Sequence, residues 1–184
     1  MWSTRHCVVV SLALVLSGGV VAARGGPAVR SSDAASALVS LMKAQGLDAI
    51  AVQDPADPER FVAAMLVPDV QLLVVAAKST APEYLRTQLA QRQFRDAYSA
   101  LFSGAVPESK IFFQDMGCDG LKQDDSNIDT LYERGTNQIV FNGDWKGQKL
   151  SRTAYDEKLR DAESKYSEML ALLGATLGAN PRPM

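Results

Sequence analysis

Apolar positions crowd most densely into residues 60–78, RFVAAMLVPDVQLLVVAAK. Two short apolar runs, 61–67 and 72–77, flank the break Pro68-Asp69-Val70. Pro68 presets φ for the second position of a tight turn and Asp69 suits the third, so the stretch predicts a β-hairpin. A hairpin with one wet face alternates apolar and polar residues, and this one barely does. Phe61, Ala63, Met65 and Val67 fall on one face, with Val62, Ala64 and Leu66 on the other. Both faces should therefore be covered, which puts the hairpin at the centre of a sheet. The alanines at 63, 64, 76 and 77 leave room for another layer to approach closely.

Near the C-terminus the period changes to 3.6. Tyr155, Leu159, Ala162, Tyr166, Met169 or Leu170, Leu173 and Leu177 recur at that spacing and predict a long helix, capped by Ser151 and running to about residue 177. Its other face carries Asp156, Glu157, Lys158, Arg160 and Asp161, which reads as a solvated surface. Ala37, Leu38 and Leu41 make a shorter stripe. It predicts a first helix from a cap at Ser32 or Asp33 to about Gln45, with Gly46 as its C′ residue.

The remaining elements follow from local signals. Residues 49–53 read as a strand. Residues 54–58, with two prolines, read as a turn that ends pairing, so residues 49–78 form a three-stranded meander. Thr80 and Glu83 have capping-box spacing and open a second helix that Gly104 and Pro107 stop. Residues 110–114, 128–133 and 138–141 read as strands, and the acidic stretch 115–127 as a loop. Asn142-Gly143 favours a type I′ turn, after which Trp145 packs back on the sheet or the last helix. The fold class is α+β: a mostly antiparallel sheet of about six strands, open to closure as a split barrel, with an N-terminal helix, a middle helix and a long C-terminal helix.

The first residues read as targeting rather than structure. Arg5 and His6 give a positive start, residues 7–16 are apolar, and Val21-Ala22-Ala23 offers a cleavage site. We therefore expect a signal peptide at 1–23, a flexible linker at 24–32, a single domain at 33–177 and a disordered tail at 178–184. No other stretch is apolar for long enough to span a bilayer.

Charge and two absences narrow the chemistry. Nineteen basic residues against 21 acidic ones leave a net charge of −2, and loss of Arg5 with the signal makes the remainder more negative. That balance gives no electrostatic reason to expect nucleic acid or anionic membrane as partner. The single histidine is His6, within the signal, so histidine-activated nucleophiles, imidazole acid–base catalysis and histidine metal sites are excluded from the processed chain. The single cysteine left is Cys118, which rules out an internal disulfide and a CxxC pair. Export without disulfides fits a bacterial periplasm or surface.

Four constellations could still carry chemistry. Lys78, Ser79 and Thr80 lie where a central strand meets a capped helix, and a lysine with two hydroxyls beside free helix N–H groups suits a phosphate or carboxylate. Arg60, at the start of the partner strand, joins them if the register brings the strand ends together. The plainer reading is a cap and a snorkelling lysine. In the acidic loop, Asp115 and Asp119 are the nearest approach to a hard-cation site, with Asp119-Gly120 imitating the middle of an EF-hand loop. Gly117 and Ser126 fall where ligands should be, which favours a solvated turn. Cys118 has acidic neighbours and no histidine, the wrong setting for a reactive thiolate. Ser40 and Lys43 match SxxK, but in mid-helix and without companion motifs.

The order helix, three-strand meander, helix after Lys78, further strands and C-terminal helix resembles the FMN-binding split barrel of the pyridoxamine-phosphate-oxidase-like superfamily. The resemblance implies that Lys78, Ser79 and Thr80 would hold a flavin phosphate. Two functions follow. One is a non-catalytic exported domain that binds a small anionic ligand or a protein partner. The other is an FMN-dependent oxidoreductase whose chemistry belongs to the cofactor.

Overall fold

Residues 60–78 do form the hairpin at the centre of a sheet. The computed structural model describes residues 30–68, 70–78, 109–123, 127–133 and 138–179. Strands β1 (Ala49–Asp54), β2 (Asp57–Val67), β3 (Gln71–Lys78), β4 (Ser109–Met116), β5 (Asp129–Glu133) and β6 (Ile139–Phe141) lie in sequence order in one antiparallel sheet. Helices α1 (Ser31–Ala44) and α2 (Arg152–Ala179) complete an α+β fold. The strand order leaves β1 and β6 at opposite edges, so among the described residues the sheet is open rather than closed into a barrel. The expected signal peptide, Asp69, the helix opened by Thr80, the turn at 134–137 and the extreme C-terminus lie outside the described residues.

Both faces of β2 are buried, as the lack of alternation requires. On one face Val62, Ala64, Val74 and Phe113 face α2, and the Phe113 ring lies 5.1 Å from that of Tyr166. Phe61, Ala63, Val75 and Ala77 on the other face are buried too. Along α2 the expected stripe is the core stripe: Tyr155, Ala162, Tyr166, Met169, Leu170, Leu173 and Leu177 are buried, and Leu159 is partly so. Ser151 caps it, its Oγ accepting the Ala154 N–H at 3.1 Å.

Helix α1 packs against α2 and differs from expectation at its start. Arg30 is its N-cap residue and makes no side-chain cap, so Ser31 and Ser32 are helical rather than linker. The fully buried stripe is Ser31, Ala35, Leu38 and Met42, with Leu41 partly buried beside it, rather than Ala37, Leu38 and Leu41. The C-terminus ends as read. Gly46, at φ 64°, donates to the Lys43 carbonyl and Leu47 N–H to that of Met42, which is a Schellman motif.

Three local readings change. The 54–58 segment does not end pairing. Asp54 and Asp57 are paired across a two-residue connection, and the register then shifts so that Gln53 faces Phe61. Pro58 falls in the stretch that this shift leaves without a β1 partner, where its missing N–H costs nothing. Asp115 and Met116 belong to β4 rather than to the acidic loop. Asn142-Gly143 joins no two strands. It leads into a turn region that Tyr155 pins, its hydroxyl accepting Gly143 N–H at 3.0 Å and donating to the Val140 carbonyl at 3.1 Å. Trp145 packs against the core as expected.

Candidate functional site

The β2–β3 register answers the question the sequence left open: Arg60 stands directly opposite Lys78. Two cations facing across a ladder repel, and carboxylates from three elements offset them. Arg60 Nη1 donates to Asp54 Oδ2 at 2.7 Å and to Glu168 Oε1 of α2 at 2.9 Å. Lys78 is paired with Asp57. These groups line a crevice of about 710 Å³ at this end of the sheet. From β4 come Lys110 and Ile111, from β5 Glu133, and from α2 Lys165 and Met169. Lys165 is held by Glu133 at 2.8 Å and Asp161 at 2.9 Å. Ser79 and Thr80 lie outside the described residues.

The two cations that face each other differ in kind. Burial works against the Arg60 charge, but Glu168 and Asp54 outweigh it and hold the guanidinium above its ordinary range. Its side chain is only 22% exposed, and it ties the β1–β2 turn and β2 to α2. Lys78 is about half exposed, at 51%, and its hydrogen bond to Asp57 raises its pKa while lowering that of Asp57. Arg60 is therefore a strut, and Lys78 is the more exposed cation of the pair. The Asp54, Asp57 and Glu168 partners were not foreseen. A two-residue turn at 55–56 is the signal that would have brought Asp54 and Asp57 to the strand end.

The opposite end of β4 holds a second charged group, wholly buried. Asp115 and Asp129 are both 0% exposed. The β4–β5 register pairs Gln114 with Thr130, so one step further Asp115 and Asp129 face each other, on the side of the sheet that packs against α2. Asp115 accepts Asp119 N–H at 3.1 Å, Gly120 N–H at 2.9 Å and the Tyr166 hydroxyl at 2.9 Å. Asp129 accepts Met116 N–H at 2.8 Å and Lys122 N–H at 2.7 Å. Burial raises the pKa of Asp115 against those donors. Burial, with the charges of Asp115 and Asp119 adding to it, pushes Asp129 up to about 7.

Asp115 and Asp119, the residues of the cation expectation, are held as follows. Asp115 is a strand residue whose oxygens are taken up by the protein's own donors. Asp119 turns one oxygen to the Lys122 ammonium, while its Oδ1 is buried without a partner. Among the described residues no three carboxylates or thiols gather so as to hold a metal. Cys118, at φ 61°, is a partly buried cysteine in this turn. Ser40 of the SxxK match donates to the Ser36 carbonyl at 2.8 Å, an ordinary helical back-bond. No family model, curated protein or solved structure matches this chain significantly. Among the described residues no helix is long and apolar enough to cross a membrane.

Proposed function

We propose that this chain is an exported, non-catalytic binding domain that takes a small anionic ligand in the crevice beside Lys78. The observation that carries this reading is the contrast between Arg60 and Lys78 within one crevice. A solvent-screened lysine–carboxylate pair is weak, so an incoming anion can replace Asp57 on Lys78 at little cost. The Arg60 strut keeps the crevice wall in place while that exchange occurs. Ion-paired walls also favour a compact, well-solvated anion over an extended acidic surface, which the carboxylates Asp54, Glu133 and Glu168 would repel.

The test is a titration of isotope-labelled protein with inorganic phosphate, followed by amide spectra. Saturable shifts at Ala77, Lys78 and Ile111 that disappear in Lys78→Ala support the reading. No response of those amides to phosphate removes the crevice as an anion site. A visible absorption spectrum, taken before and after adding FMN, separates the flavin alternative: a bound flavin spectrum would replace this reading with the redox one. The export part has its own check. Mass spectrometry of the secreted form should find an N-terminus near Arg24, and an intact Met1 overturns it.

A further inference from the structure

The Asp115–Asp129 pair has no part in the crevice, which opens at the other end of β4. Two carboxylates that face each other in a fully buried setting cannot both ionise at low cost, because burial and mutual repulsion act in the same direction. The contacts described for them reach the end of β4, the segment that follows it and α2. Between them they take the N–H groups of Met116, Asp119, Gly120 and Lys122. Tyr166 anchors Asp115 to α2. The same segment is tied to α1 as well, since Leu121 N–H donates to Ser31 Oγ at 3.2 Å. These contacts fasten residues 117–123 to the sheet and both helices.

We propose that Asp115 and Asp129 form a proton-operated clasp: with one of the two carboxyls protonated, residues 117–123 are fastened against β4, α1 and α2, and loss of that proton to solvent loosens them. The groups around the pair favour retaining the proton. Asp119, in the segment, adds a like charge, and the ammonium of Lys122 from the same segment is drawn to Asp119. From α2, Tyr166 presents a phenol that burial and the Asp115 charge keep protonated. Glu163 of α2 reaches only as far as Ser31 Oγ, at 3.3 Å. Cys118 is a further titratable side chain among the described residues, and its charge would add to the repulsion.

The clasp is tested on the full chain by two readouts. Carboxyl-carbon chemical shifts of Asp115 and Asp129 report protonation directly. Exchange rates of the Gly120, Leu121 and Lys122 amides, corrected for intrinsic base catalysis, report fastening. Between about pH 5.5 and about pH 8.5 the protection of these amides should fall about tenfold or more, since each unit of pH past the midpoint is a tenfold change in the proton-bound fraction. Asp129→Asn, which keeps a neutral side chain at every pH, should lose that dependence. Flat protection in the wild type overturns the proposal, as does an unchanged fall in Asp129→Asn. Should that variant not fold, the wild-type carbon shifts decide alone: titration of both carboxyls below about pH 5 overturns the clasp, and one titrating near neutrality supports it.

Discussion

The Tyr166 hydroxyl, at the centre of α2, donates at 2.9 Å to Asp115 of β4 inside a fully buried core. The ring also packs, tilted by 45°, against Phe113, one alternation away on the same strand. A single side chain thus supplies apolar contact and a charged-group hydrogen bond across the helix–sheet interface. Tyr166→Phe removes only the second. Hydrogen bonds to charged groups contribute about 1.5–3 kcal/mol, and an abandoned buried acceptor adds to the loss. Urea denaturation of Tyr166→Phe should show a stability decrease in that range with an unchanged slope. A loss below about 0.5 kcal/mol would mean that the hydroxyl contributes nothing net to Asp115.

Stability should depend on pH in the direction opposite to that of an ordinary salt-bridged acid. Burial raises Asp129 from 3.8 to about 7 in the folded state. Between those values the folded chain binds more protons than the unfolded one, so stability falls as pH rises. This contribution is fully present below about pH 4 and gone above about pH 7. Its ceiling is about 4 kcal/mol, since a tenfold change in proton affinity is worth about 1.4 kcal/mol. Denaturant midpoints measured across that window should fall with pH for the wild type and flatten in Asp129→Asn. A midpoint that rises over the same window would show that the donors on Asp129 outweigh its burial.

Most of the architecture was written in periodicity. The two-sided apolar runs of β2 and β3 and the Tyr155-to-Leu177 stripe of α2 have one packing solution each, and they adopt it. The carboxylate pair was hidden for a physical reason. Acidic residues near glycines usually mean water, and burying them requires donors that only the assembled fold supplies. Three cues were nonetheless present. Asp115 is in phase with Ile111 and Phe113, Asp129 is in phase with Leu131, and Tyr166 lies in an apolar stripe where its hydroxyl needs a partner. At the crevice, Lys78 and Arg60 were legible as strand ends. Their carboxylates were not, because Pro55 and Pro58 signal an end to the pairing that in fact brings Asp54 and Asp57 beside them.

Two glycines at positive φ separate conformational from steric cost. Gly120, at φ 87°, is so close to α1 that an added Cβ would run into the Ser32 backbone. Gly143, at φ 81°, has nothing within 4 Å of that position. Gly143→Ala should cost about 1–2 kcal/mol for the backbone alone. Gly120→Ala adds overpacking of about 1–3 kcal/mol and pushes the 117–123 segment off α1. Thermal or urea unfolding of both variants measures the difference. Equal losses would mean that α1 yields freely to the new methyl group.

Arg60 and Lys78, though directly opposite in the ladder, should respond differently to truncation. Lys78→Ala removes a solvent-screened ion pair, so stability should barely change. Arg60→Ala strands Asp54, whose side chain is 10% exposed, and releases Glu168 of α2 from β2. Leaving a largely buried carboxylate without its partner costs about 1–3 kcal/mol. Denaturation of the two variants, with phosphate titrated into each, separates strut from ligand contact. Lys78→Ala should keep its stability and lose the phosphate response. Arg60→Ala should lose stability first, and regain part of it when Asp54 is also replaced by Asn, because the stranded charge is then gone. Equal destabilisation by both variants would make Lys78 structural too and leave the crevice without an exchangeable cation at that strand end.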